Sequence, residues 1–487
     1  MLGARGMAVV LLCAAACSVP APTWHQDIAP IVADHCMSCH RAGGIAPFAL
    51  TDYDSVREQA HRMLDQIERG AMPPFSARSD AECAPRYGWD GDPRLSDAEK
   101  ATLQQWMASG YLLGDPSAPP PIAYHNLARV TESLVPEEGW IASGDHDQFI
   151  CNLFDVGNTD VAWLSGLQIQ PEHEDIVHHA LIYALEPEFA EPFVAEHGIG
   201  RPFVCSGGFP ADFQFHAWFP GNQPLQLPAG MAMPLVPGTK IAVQLHYHPH
   251  GGVYGADRTS IDLELSPSPP EQLYFGASFG NQPDAPTLLP GPGDTEDGVP
   301  EFVVPKNTAE HHEHMRQPVP NFEHGPEVRV VSVLPHMHLL GTGLALTLER
   351  RKPRGAAPRV ECLSNTGWNF DWQRTYAYHA PFDHLPVIAD GDVLDIKCTW
   401  NNTIQNPFLQ RLLADTNGGM PFDVPLGEET VDEMCLTILG LAQPAPRDLS
   451  AQSIARILAG ARVTARASAG PRRTELPGRR ARTPPSS

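Results

Sequence analysis

Asp175-Ile-Val-His-His-Ala-Leu-Ile-Tyr183 is a short apolar run interrupted by two adjacent histidines. Three further runs share its character: Ile241-Ala-Val-Gln-Leu-His-Tyr247, Val328-Arg-Val-Val-Ser-Val-Leu334 and Val393-Leu-Asp-Ile-Lys397. Each is short, apolar or alternating, and set off by turn residues, which is the pattern of β-strands. The 50 Pro and 41 Gly among 487 residues supply the turns that many short strands need. The region from about 128 to 442 therefore reads as two β-sandwiches of ~150 residues each, in a chain that is mainly β.

Outside that region the pattern changes. From Trp24 to Tyr111 it is helical: Ile28, Ile31 and Val32 precede Cys36, and Ser96-Asp-Ala-Glu99 is a capping box opening a helix through Trp106 to Gly110. Pro-rich joints lie at 114–121, at 282–300 and from Gln443. The expected layout is a signal peptide over 1–22, a small all-α domain over 23–115, a linker over 116–127, two β domains over 128–285 and 286–442, and a disordered Arg-rich tail over 443–487.

Charge and leader limit the partners. The net charge is 33 minus 57, or −24, which works against nucleic-acid binding because phosphate contacts need a basic surface. Arg5 followed by the apolar stretch Met7–Cys17 is too short for the ~20 residues of a membrane span and fits a signal peptide. The expected location is periplasmic, outer-membrane lipoprotein or extracellular. Ala15-Ala-Cys17-Ser18 leaves lipidation of Cys17 and simple cleavage both open, so a membrane is approached only through such a lipid anchor. Beyond the leader and Cys36/Cys39, six cysteines remain: Cys83, Cys151, Cys205, Cys362, Cys398 and Cys435. An even number in an oxidising compartment favours disulfides, with the pairing left open.

Cys36-Met-Ser-Cys39-His40 is the c-type haem attachment pattern, in which two thiols bond the porphyrin and the next His supplies an axial nitrogen. A redox CxxC is the alternative; a zinc site lacks its second CxxC. Met72, in Gly70-Ala-Met-Pro-Pro-Phe75, is the candidate second axial ligand. Loops resembling this one do that in class I cytochromes c; Met63 is the runner-up, although its helical spacing reads as core. The 23–115 segment is thus expected to be a cytochrome c-like domain carrying haem c.

The β region carries three further histidine clusters. His178 and His179 point to opposite faces of a strand, so both reach one metal only at a strand end or bulge. His246 and His248 share a face, as do His336 and His338, whose i, i+2 spacing makes a ready chelate. Together with Val431-Asp-Glu-Met434-Cys435, the order and separation of these motifs resemble the copper type II, ascorbate-dependent monooxygenases, the family of peptidylglycine α-hydroxylating and dopamine β-monooxygenases, over roughly 130–442.

That resemblance implies two jelly-roll-like domains and two copper ions. One copper would be held by His178, His179 and His246; the other, where O2 is activated, by His336, His338 and Met434. A thioether suits Cu(I) better than Zn(II) or a hard cation. It also implies Cys398–Cys435 and Cys151–Cys205 disulfides, while Cys83 and Cys362 stay unassigned: they pair with each other or remain separate thiols. Peptide-processing members grip a substrate carboxylate with an Arg two residues before His-x-His and an Asn and a Tyr two and four residues after the Met. Here those positions are Leu334, Leu436 and Ile438, an apolar wall that fits a neutral or apolar organic substrate.

The expected activity is hydroxylation of a C–H bond with O2, with electrons from ascorbate or from the fused haem domain. The alternative is a non-enzymatic haem and copper electron-transfer or copper-handling protein. His311-His-Glu-His-Met315 reads as a solvated loop or an accessory copper-loading site, and His216, His248, His250 and His324 as surface residues or as neighbours of the ligands.

Overall fold

The computed structural model describes residues 20–466 apart from 118–125, 145, 206–207, 250, 282–287, 293–301, 321–326, 356, 416–418 and 428–430. The leader with Cys17, most of the first joint, much of the second, His250 and His324 therefore lie outside the described residues. Chain contacts divide the molecule into two units.

The first unit comprises 1–37, 49–73 and 93–123. Its regular elements among the described residues are helices: Ala29–His35, Tyr53–Glu68 and Asp97–Ala108, with a short π-helical turn at Trp24–Ile28. Both longer helices begin with reciprocal capping boxes, Asp52 with Ser55 and Ser96 with Glu99, which satisfy backbone N–H groups that the first turn leaves unpaired. Trp106 is fully buried and meets Trp24 and Tyr53 at 6.2 Å, while Met63 lies in the core.

The second unit comprises 38–48, 74–92 and 124–487, so two stretches of the segment expected as one α domain belong by contact to the β unit. This unit is dominated by strand. Its largest sheet has ten strands, and Gln272–Asn281 pairs over its full length with Cys435–Pro444. The strand that closes the first expected sandwich is thus bonded directly to the last strand of the second. Alternation tells which residues share a face, not which strand lies alongside. A five-stranded sheet contains Gln148–Asp155, Lys240–Tyr247 and Val177–Leu185 as neighbours, and a four-stranded sheet contains Thr308–Pro318, Val393–Asn402, Gly341–Glu349 and Val360–Gly367.

The stretch 74–92 runs along the β unit as a strap. Arg78 N donates to Asn365 O at 2.7 Å, Gly367 N to Ser76 O at 2.7 Å, and Asp90 N to Ala377 O at 2.8 Å. Trp89 stacks on Tyr378 at 4.9 Å, and a Cys83–Cys362 disulfide locks the strap to the strand Val360–Gly367. Cys151–Cys205 and Cys398–Cys435 also form. Three disulfides fit an oxidising compartment. No helix among the described residues is long and apolar enough to cross a membrane.

The tail expectation needs correction. The last strand runs to Pro444, and Ala451–Arg466 is a helix with Ile454, Ile457 and Leu458 buried in the main core. The Ala- and Arg-rich composition hid an i, i+3, i+4 apolar stripe long enough to dock. The His311–Met315 cluster is likewise not a loop but part of the strand Thr308–Pro318. Its polar residues alternate, with Met315 buried while His312 and His314 face an open groove of about 600 Å³.

Candidate metal centres

His179 and His246 sit opposite one another on neighbouring strands, and the register slips between Val177 and His179. His178 occupies that slip. The irregularity turns both adjacent imidazoles toward His246, so one donor nitrogen from each of the three lies within 4.8 Å of the others. The triad could hold a metal ion. His179 Nδ1 and His246 Nδ1 are 3.3 Å apart, about the span of two nitrogens bonded at roughly 2.0 Å to one tetrahedral metal.

The surroundings suit neutral, ligating imidazoles. Burial pushes His178 down to about 4, with the His246 charge adding to it, and holds His179 well below its usual range. His178 Nδ1 is buried without a hydrogen-bond partner, an orphaned atom that a metal would satisfy. Asp147 Oδ2 lies 3.4 Å from His246 Nε2, too poorly aligned for a hydrogen bond but placed to orient the ring, while its other oxygen meets His248 Nδ1 at 2.5 Å.

His336 ends the strand Glu327–His336, and His338 follows two residues on, with ring centroids 5.3 Å apart. His338 Nδ1 lies 3.1 Å from Asp432 O and His336 Nδ1 lies 3.3 Å from Gln373 Oε1. Each acceptor calls for a proton on Nδ1 and leaves Nε2 as the available ligand atom. Burial, then the neighbouring His338, pushes His336 down to about 3.

Met434 enters through Glu433, whose role the sequence reading missed. The buried Glu433 carboxylate accepts from His338 N at 3.0 Å, Leu340 N at 2.6 Å, Trp400 Nε1 at 2.9 Å and Met434 N at 3.3 Å. One side chain therefore ties the backbone of the His-x-His pair to the backbone of Met434. Burial pushes Glu433 up to about 7, against the pull of those donors. Met434 itself belongs to a buried apolar cluster with Leu334, Leu436 and Ile438, completed from the five-stranded sheet and its loops by Leu181, Tyr183, Phe209 and Phe213.

The loop 368–373 approaches both centres. Trp368 Nε1 donates to His338 O at 2.9 Å, Phe370 lies 6.0 Å from His179 and 6.2 Å from His246, and Trp372 lies 6.0 Å from His178. Among the described residues the two clusters are thus joined by a short stretch of protein.

No family model and no curated protein matches the chain. Among solved structures, the major capsid protein P2 of bacteriophage PM2 is 8% identical over 65% of this chain and 98% of its own, with a TM-score of 0.23. A structure of Sulfolobus turreted icosahedral virus gives 8%, 68%, 97% and 0.19, and the VP2 subviral particle of infectious bursal disease virus gives 7%, 68%, 88% and 0.09. Superpositions this loose bear on neither fold nor function.

Cys36 and Cys39 stand outside the three disulfides. His40 Nδ1 lies 3.0 Å from Phe48 O, which calls for a proton there and leaves Nε2 to bind a metal, and burial lowers the ring's proton affinity. Thiols and imidazole therefore fit the donor set of an attached haem. Met72 lies in the helical unit and is 41% exposed, whereas Cys39 and His40 belong to the β unit.

His216 is not a surface residue. It is 6% exposed, its Nδ1 has no partner, and burial pushes it down to about 4. Its folded value lies below the ordinary ~6.5, so above pH ~6.5 the ring is neutral in both states and stability is unaffected. Between ~6.5 and ~4 the unfolded chain takes up the proton and the folded chain does not, so stability falls with pH by up to about 3 kcal/mol. His216→Leu should therefore lose less Tm than the wild type between pH 7.5 and 5. Equal losses would mean that the ring is not held buried and neutral.

Proposed function

We propose that the chain is an exported copper-dependent monooxygenase that hydroxylates a C–H bond of an apolar organic substrate with O2, fed by a one-electron donor such as ascorbate or the fused haem. The observation that carries the reading is the pairing of two unlike histidine centres, a three-imidazole triad and a His-x-His pair coupled through Glu433 to Met434. His178, His179 and His246 would hold one copper, and His336 and His338 through Nε2, with the Met434 thioether, the other. Bound copper supplies one-electron chemistry and O2 activation. The chain's own part is to keep the imidazoles neutral by burial, fix their tautomers through Asp432 O and Gln373, and exclude water with the Leu334, Leu436 and Ile438 wall. Cys36, Cys39 and His40, together with Met72, would hold haem c.

The burial of Leu334, Leu436 and Ile438, each 2% exposed or less, favours a second reading without a substrate, an electron-transfer or copper-handling protein. Both readings require haem and copper. Chain exported with haem maturation should carry one covalent haem and two coppers, and Cys39→Ala should lose normal haem attachment while copper stays near two. Loss of copper in that variant would contradict the assignment of the metals to the β region. Product formation under O2 separates the two readings.

A further inference from the structure

We propose that Phe219 and Trp372 form the electron route from a haem held at Cys39 to a copper held at His178, a proposal that rests on the haem and copper reading above. Cys39 Sγ lies 3.4 Å from Pro220 O. The close seat depends on Gly221, where a Cβ would lie 2.5 Å from that sulfur and where φ is +86°. An ion pair between Arg41 and Glu174 pins the same short segment to the loop that leads into the strand Val177–Leu185.

From Pro220 the contacts run inward. Phe219, 2% exposed, meets Trp372 edge-on with centroids 5.2 Å apart, and Trp372 lies 6.0 Å from the His178 ring. The Arg374 guanidinium covers the Phe219 ring at 4.7 Å and donates to Asn222 Oδ1 at 2.9 Å, which holds the ring in place. Tunnelling falls off exponentially with distance and fastest across gaps without atoms. This packed sequence joins the attachment sulfur to the imidazole that lacks any other partner at Nδ1. Its last ring, Trp372, lies 6.0 Å from His178, so electrons would arrive at the triad. The step moves one electron from Fe(II) to Cu(II), giving Fe(III) and Cu(I). No bond forms or breaks and no proton moves along the route; an external one-electron donor then reduces the haem again.

The test uses full-length protein carrying haem and copper, kept free of O2, in which a flash-generated one-electron reductant reduces the haem and the haem absorbance reports reoxidation. Wild type should show a first-order phase independent of protein concentration, and Phe219→Leu and Trp372→Leu should each slow it by about tenfold or more relative to that tethered rate. Haem spectrum, copper content and the triad's Cu(II) EPR spectrum should stay as in wild type, which a merely structural defect would not allow. Phe154→Leu, a buried aromatic off the route, should leave the rate unchanged. Unslowed transfer in both route variants, with haem and copper bound, would overturn the route alone. A wild-type chain that takes up no haem or no copper would overturn the route and the site reading together.

Discussion

Met434→Ile is expected to fold, to keep copper at His178, His179 and His246, and to lose high-affinity Cu(I) binding at His336 and His338. Met434 is 6% exposed within an apolar cluster, so isoleucine preserves most of the packing and should cost about 1 kcal/mol. Its backbone N–H keeps its bond to Glu433, so the His338 segment stays anchored. What disappears is the sulfur. The loss of Cu(I) affinity at that centre should exceed the roughly 10–100-fold that changes outside the ligand shell produce. Competition with a Cu(I) chelator measures it, and an unchanged affinity would remove the thioether from the site.

Replacing Cys83 and Cys362 together by serine should produce the largest loss of stability of any disulfide removal in this chain. The bridge closes a separation of 279 residues, against 54 and 37 for the other two. Constraint of the unfolded chain grows with the loop, and about 5 kcal/mol is expected here. Denaturant unfolding of the double variant checks this. A loss below about 1 kcal/mol would mean that the backbone bonds of Arg78 and Gly367 and the Trp89–Tyr378 stack hold the strap without the bridge.

How much was legible depended on whether the cause was local. The strand runs around His178, His246 and His336 carried their own alternation, and the capping box at Ser96 named its helix. The two adjacent histidines required a bulge to share a site, and the register slip beside His179 provides one. By contrast, the bond between Gln272–Asn281 and Cys435–Pro444 joins residues far apart in sequence, and no pattern within either strand selects the other. Glu433 reads as an ordinary acid before Met434 because its four donors come from the His338 segment, Leu340, Trp400 and its own neighbour. The strap over 74–92 is indistinguishable in sequence from the helices around it because composition does not reveal which core a Trp or Cys joins.

Cooperation of the two histidine centres on O2 and a C–H bond is the proposed activity. Its most direct measurement is a single turnover of fully reduced, copper-loaded protein with 18O-labelled O2 and a panel of apolar organic substrates. A hydroxylated product carrying one 18O atom is expected, with two electrons drawn from the reduced metal centres for each product formed. Stoichiometric hydrogen peroxide with every substrate, and no labelled product, would contradict it.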